Sequence, residues 1–180
     1  MTTTWSFERD GRGYRRLRAS FMAKYLLMGL FLATDMALNA SAEYVDLAAS
    51  NSINTAVSVI LAQAFVQIVA AIDLFILLGM TFPFRNGLLG LLGMEFRSVL
   101  YMHLVYFALT TALGISRISI LSGGRPTVEL WDRPGYYLLS VLQKLAMVPY
   151  CHLTLNALTK LGSAKFYTKD AWVALHNQLF

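Results

Sequence analysis

Residues 53–80 read INTAVSVILAQAFVQIVAAIDLFILLGM, and Asp73 is the one charged side chain among them. A helix crosses about 30 Å of hydrocarbon with roughly 20 predominantly apolar residues, the useful range being about 17–25. This run exceeds that range, so as a helix it tilts in the bilayer or projects a turn beyond it. Nothing in it alternates with period two, the mark of a barrel strand. Backbone groups in lipid must bond within their own segment, and a helix lets them do so.

Three more stretches of this kind flank it: residues 21–40 (FMAKYLLMGLFLATDMALNA), 98–115 (SVLYMHLVYFALTTALGI) and 136–158 (YYLLSVLQKLAMVPYCHLTLNAL). Together the four predict an all-α membrane protein, a four-transmembrane-helix bundle with a basic N-terminal arm at 1–20, a helical domain at 21–158 and a C-terminal tail at 159–180. Lys24 and Asp35 interrupt the first stretch, and no clear small-x-small cleavage site precedes a soluble mature chain. It therefore reads as a retained helix rather than a signal peptide.

Composition agrees with this reading. The chain has 180 residues, about one domain's worth, with 57% apolar and 14% charged residues. Soluble domains average roughly 45–50% and about 25%. Mean hydropathy is +0.54, which excludes a disordered chain. One cysteine excludes a disulfide scaffold or a CxxC metal cluster. Three histidines and ten carboxylates leave little material for a hydrolytic site. No GxSxG, HExxH, P-loop or paired-carboxylate spacing occurs. Neither an enzymatic activity nor a cofactor is expected. No internal repeat supports an inverted-repeat transporter.

Charge predicts the orientation. Arg9, Arg12, Arg15, Arg16, Arg18 and Lys24 precede or open the first stretch, and the first loop has no lysine or arginine. Arg85 and Arg97 lie between the second and third stretches, and Lys160, Lys165 and Lys169 in the tail. Arg117, Arg125 and Arg133 fall between the third and fourth stretches. The positive-inside rule then places both termini in the cytosol, with the third loop running against the bias. The net charge of +5 is mostly a topology signal. Nucleic acid is not supported as a partner, because no soluble region remains to carry a binding face. The lipid bilayer is, and each basic residue near anionic cytosolic lipid contributes on the order of 1 kcal/mol.

The loops carry turn signals. Pro83 precedes Phe84-Arg85-Asn86-Gly87. The apolar residues 88–96 that follow read either as an interfacial turn or as an extension of the third helix. Trp131, Tyr136 and Tyr137 suit the outer interface, where aromatic rings sit between headgroups and tails. Residues 171–179 suit a short amphipathic surface helix.

Polar residues inside the spans are functional candidates by default. Asp35 lies about 8 Å and Lys144 about 12 Å from the outer ends of their helices, at 1.5 Å per residue. Similar depth predicts a structural Asp35–Lys144 ion pair between the first and fourth helices. Asp73, His103 and His152, with Cys151 beside the last, share a depth of about 8–10 Å on the inner side. Such a set can bind zinc or relay protons. The plainer expectation is hydrogen bonding between packed helices, worth around 0.6 kcal/mol each. Ser58 and Ala62 form one small-xxx-small step, which permits close helix approach. Pro149 predicts a kink that frees the Leu145 carbonyl.

An ordered series in the second half carries further information. Val105-Tyr106-Phe107-Ala108-Leu109, Trp131, Gln143-Lys144-Leu145-Ala146, Tyr150-Cys151, Leu161-Gly162, Phe166-Tyr167 and Trp172 together resemble the transmembrane protein 138 family of cilium-associated proteins. Asp35 and Asn39 match that family's D-x-x-x-N, Gln63 matches in the second stretch, and the family pattern has a basic residue (arginine) at Lys144. The resemblance is close from about Gly87 to Trp172. The N-terminal arm has no counterpart in it. Asp73, His103 and His152 fall outside the matched positions.

The resemblance implies a non-enzymatic multi-pass protein of cilium assembly, acting in vesicular delivery to the cilium and at the transition zone. It further implies residence in the ciliary membrane or associated vesicle or vacuole membranes, and partnership with other small tetraspan ciliary proteins similar to transmembrane protein 216. Phe166, Tyr167 and Trp172 are the candidate partner or membrane contacts. The competing expectations are a small proton- or metal-linked transporter using Asp73, His103 and His152, and an assembly subunit of another membrane complex.

Overall fold

The computed structural model describes residues 4–47, 53–85, 87, 89–123 and 130–163, with side chains in the first helix at residues 21–42. Five helices follow one another: α1 (Thr4–Leu47), α2 (Ile53–Gly79), α3 (Phe82–Arg85), α4 (Leu89–Ser122) and α5 (Pro134–Leu161). Four contain segments long and apolar enough to cross a membrane, at Phe21–Ala42, Ile53–Gly79, Leu92–Ser122 and Pro134–Leu161.

Helix boundaries extend past the apolar stretches. α1 runs back to Thr4, so most of the basic segment expected to precede the first span is helical with it. α4 starts at Leu89, which settles residues 89–96 as an extension of the third spanning helix. It also continues to Ser122, and Arg117, expected in the third loop, is a buried helix residue. Pro134 opens α5 at a position where its missing N–H costs nothing. α5 continues through Pro149 to Leu161. The short α3 turns the chain between α2 and α4, and Gly87 closes that turn at φ +75°, a left-handed value that favours glycine.

The spanning helices pack in a ring, α1 on α2, α2 on α4, α4 on α5, closed by α5 on α1. That puts α1 and α4 across one diagonal. Buried residues recur with alternating steps of four and three. In α4 they are Leu92, Phe96, Val99, His103, Tyr106, Thr110, Leu113 and Arg117. In α5 Tyr136, Ser140, Gln143, Tyr150, Thr154, Ala157 and Leu161 keep the same register. A mean spacing of 3.5 residues is that of left-handed bundle packing.

The bundle is apolar outside. Leu26, Phe65, Leu104 and Leu145, one from each spanning helix, are 64–68% exposed. Inside, apolar clusters occupy the two ends. One gathers Phe21, Met28, Leu74, Leu77, Phe96 and Leu158. The other gathers Leu113, Leu130 and Tyr136, with Trp131 edge-on to Tyr136 at 5.6 Å. The interval between them combines a third cluster, Leu32, Tyr106 and Tyr150, with a set of buried polar side chains.

Candidate functional site

Each spanning helix brings a polar residue to this interval on its buried seam: Asp35 from α1, Gln67 from α2, Tyr106 and Thr110 from α4, and Gln143 from α5. The register that buries Leu32 and Asn39 also buries Asp35. In α2 the same spacing links Gln63, Gln67, Ala70 and Leu74.

Asp35 is the centre. The Gln67 side-chain amide donates to Asp35 Oδ1 at 2.9 Å, and the Tyr106 hydroxyl donates to Oδ2 at 2.7 Å, across the diagonal of the ring. The Gln67 amide also donates to Thr110 Oγ1 at 3.3 Å. The Gln143 amide reaches the Tyr106 hydroxyl at 3.3 Å and Thr110 Oγ1 at 3.4 Å. Tyr106 stacks on Tyr150 at a 4.5 Å centroid separation, and His103 meets Tyr150 edge-on at 5.2 Å. His103 Nε2 lies 3.2 Å from the Gln67 carbonyl. Directional bonds of this kind cannot slide. They fix rotation and axial register together, where apolar contacts in lipid fix neither strongly.

The expected Asp35–Lys144 pair is replaced by this arrangement. Lys144 is one residue past Gln143, about 100° round the helix. Its ammonium donates to Ser140 Oγ one turn back, at 2.9 Å. Asp35 takes its bonds from two neutral donors instead.

Asp73, His103 and His152 do not converge. Asp73 is buried on α2. His103 is buried in the central interval, whereas His152 is exposed on the outer surface of α5. Among the described residues no three His, Cys, Asp or Glu side chains are placed to hold a metal ion. Phe166, Tyr167 and Trp172 lie outside the described residues.

Close packing occurs elsewhere than expected. Ser58 and Ala62 are both exposed, so their step is not at an interface inside the bundle. The tight approach is Gly114 of α4 against Ile60 of α2, where an added Cβ would lie 2.8 Å from Ile60 Cγ2. Near that end Arg117 donates to the Tyr136 hydroxyl through Nε at 3.2 Å and Nη2 at 2.9 Å.

An all-α, four-span multi-pass membrane protein with an apolar exterior and a hydrogen-bonded polar interior is therefore the class. The model of the family described as Transmembrane protein 138 matches residues 56–176, and the chain belongs to that family. It is similar to Transmembrane protein 138 of Mus musculus, 29% identical over 102 residues, which cover 57% of this chain and 62% of that relative. It is similar too to Transmembrane protein 138 of Xenopus tropicalis, 31% identical over 104 residues, covering 58% and 63%. The matches thus span less than two thirds of either relative. No solved structure matches. The family match takes in Gln67, Tyr106, Thr110 and Gln143, while Asp35 precedes it.

Proposed function

We propose that this chain is a non-catalytic membrane component of cilium assembly, acting in vesicular delivery to the cilium and at the transition zone, with other small tetraspan membrane proteins as partners. Family membership carries the ciliary reading. The geometry that supports a structural role is the interior: its polar side chains are used to bond helix to helix, from Asp35 through Gln67, Tyr106 and Thr110 to Gln143.

Both termini lie in the cytosol on this reading. The placement of Arg117 within α4 strengthens the charge argument, because the third loop then carries Arg125 and Arg133 without it. The tail residues Phe166, Tyr167 and Trp172 are the proposed contacts with partners or the membrane surface. A transporter built on Asp73, His103 and His152 has no support from the geometry, since His152 faces outward.

The test is a fluorescent fusion imaged in ciliated cells, followed by deletion of the gene and counting of cilia. Signal at the ciliary base with loss of cilia on deletion is the expected result. Normal cilia after complete loss would remove the proposal. Truncation after Leu161 that leaves localisation and cilium number intact would remove the tail from it.

A further inference from the structure

Most of the large side chains on the outer surface of the bundle are apolar, and one group of polar side chains on it lines a cleft. Where α4 enters the membrane and α5 leaves it, a cleft of about 110 Å³ opens between the two helices. It is lined by Glu95, Ser98, Asn156 and Lys160 over a floor that includes Phe96 and Ala157. Lys160 Nζ and Glu95 Oε1 are 2.9 Å apart at its mouth, with side chains 42% and 40% exposed. Ser98 and Asn156 are exposed to the surroundings, and neither makes a side-chain hydrogen bond among the described residues. Asn156 lies five residues from the end of α5, about 8 Å below it. A carboxamide at that depth on a lipid-facing surface is costly without a partner. Nothing in the interior network reaches it.

We propose that this cleft binds the head of an ethanolamine phospholipid. The charges decide the class of ligand. A cation and an anion side by side match a head that itself carries both signs, with the phosphate on Lys160 and the ammonium on Glu95. An anionic head would set its charge against Glu95. A choline head has no N–H to donate to the carboxylate. Asn156 and Ser98 lie deeper, at the level of the glycerol esters, and supply hydrogen bonds there. The cleft is too small for a helix, whose diameter with side chains is about 10–12 Å. This assignment rests on the chain spanning a bilayer and is independent of any role in cilia.

The test uses the purified full-length chain in nanodiscs of phosphatidylcholine with or without phosphatidylethanolamine. Retained lipid is read by native mass spectrometry, and labelling by a diazirine-bearing phosphatidylethanolamine is mapped on the chain. The expected result is preferential retention of phosphatidylethanolamine, with label on the residues between Leu153 and Lys160. Glu95→Gln should abolish the preference over phosphatidylcholine, and Lys160→Gln should weaken retention of both by roughly fivefold. Asn156→Leu, an exposed change that leaves the charges in place, should also reduce retention. Helical circular dichroism serves as the folding control. Absence of preference in the native chain, or a preference that survives both Glu95→Gln and Asn156→Leu, would overturn the assignment. So would a dimer that Lys160→Gln dissociates, because the cleft would then belong to a second copy.

Discussion

Replacing Tyr106 by Phe removes one oxygen from the centre of the bundle and nothing else. That oxygen donates to Asp35 at 2.7 Å and accepts from Gln143 at 3.3 Å. Tyr106 is 1% and Asp35 2% exposed, so neither the carboxylate oxygen nor the amide left behind gains access to the surroundings. Hydrogen bonds to charged groups contribute about 1.5–3 kcal/mol in soluble proteins. Interhelical bonds in membranes average about 0.6 kcal/mol and reach about 1.7. The ranges meet at about 1.5–1.7 kcal/mol, and a central bond that leaves a buried oxygen unpartnered belongs at that end. Tyr106→Phe should therefore raise the unfolding equilibrium constant roughly tenfold. The assay is reversible unfolding of the purified protein in mixed micelles of rising dodecyl sulfate content, followed by circular dichroism. Paired with Asp35→Asn in a double-mutant cycle, the two changes should couple by about 1 kcal/mol. A parallel cycle of Asp35→Asn with Lys144→Met should be additive within about 0.5 kcal/mol. Additivity in the first cycle together with coupling in the second would refute the network and restore an ion pair between Asp35 and Lys144.

Three further outcomes follow from particular contacts. Gly114→Ala should destabilise the bundle by about 1–3 kcal/mol, since the new methyl meets a β-branched methyl at 2.8 Å, and Ile60→Ala in the same chain should recover part of that in the same unfolding assay. Gln63→Leu should be neutral or stabilising, because the buried Gln63 amide nitrogen has no hydrogen-bond partner among the described residues, whereas Gln67→Leu should cost about 1–3 kcal/mol by stripping a donor from both Asp35 and Thr110. Tyr136→Phe removes the hydroxyl that takes two N–H groups of Arg117, and thermal unfolding should report a loss of about 1 kcal/mol.

The number and place of the spanning helices are legible in the sequence because length and hydropathy are summed over many residues. Their ends are less so. Arg117 reads as the end of an apolar run, yet α4 carries it a turn and more inside, where Tyr136 satisfies it. Depth alone misassigns the partner of Asp35 for a geometric reason. Counting residues from a helix end gives depth and says nothing of azimuth. Lys144 has the right depth and lies one residue off the seam, whereas Gln143 lies on it. His152 likewise shares depth with His103 and points the other way. The missing signal is one of spacing. Alternating steps of four and three run through Leu32, Asp35 and Asn39, and through Val99, His103, Tyr106 and Thr110. Such steps are enough to place these polar residues on buried seams. Which donor meets which acceptor still depends on the ring order of the helices, and no single-helix pattern encodes that.

The same azimuthal division separates what holds the protein together from what it can meet. In lipid, burying leucine against leucine gains little over leaving it among acyl chains, so the end clusters around Leu77 and Leu113 give contact without register. Register comes from Asp35 and its donors, and spacing from Gly114 against Ile60. All of these lie inside. Polar groups on the exterior such as Asn156 and the Glu95–Lys160 couple take no part in that network. Changes on the seams should therefore act through stability and alter everything at once. Changes off the seams should leave the bundle folded and alter only what it binds. That separation makes the two kinds of variant distinguishable in one unfolding experiment.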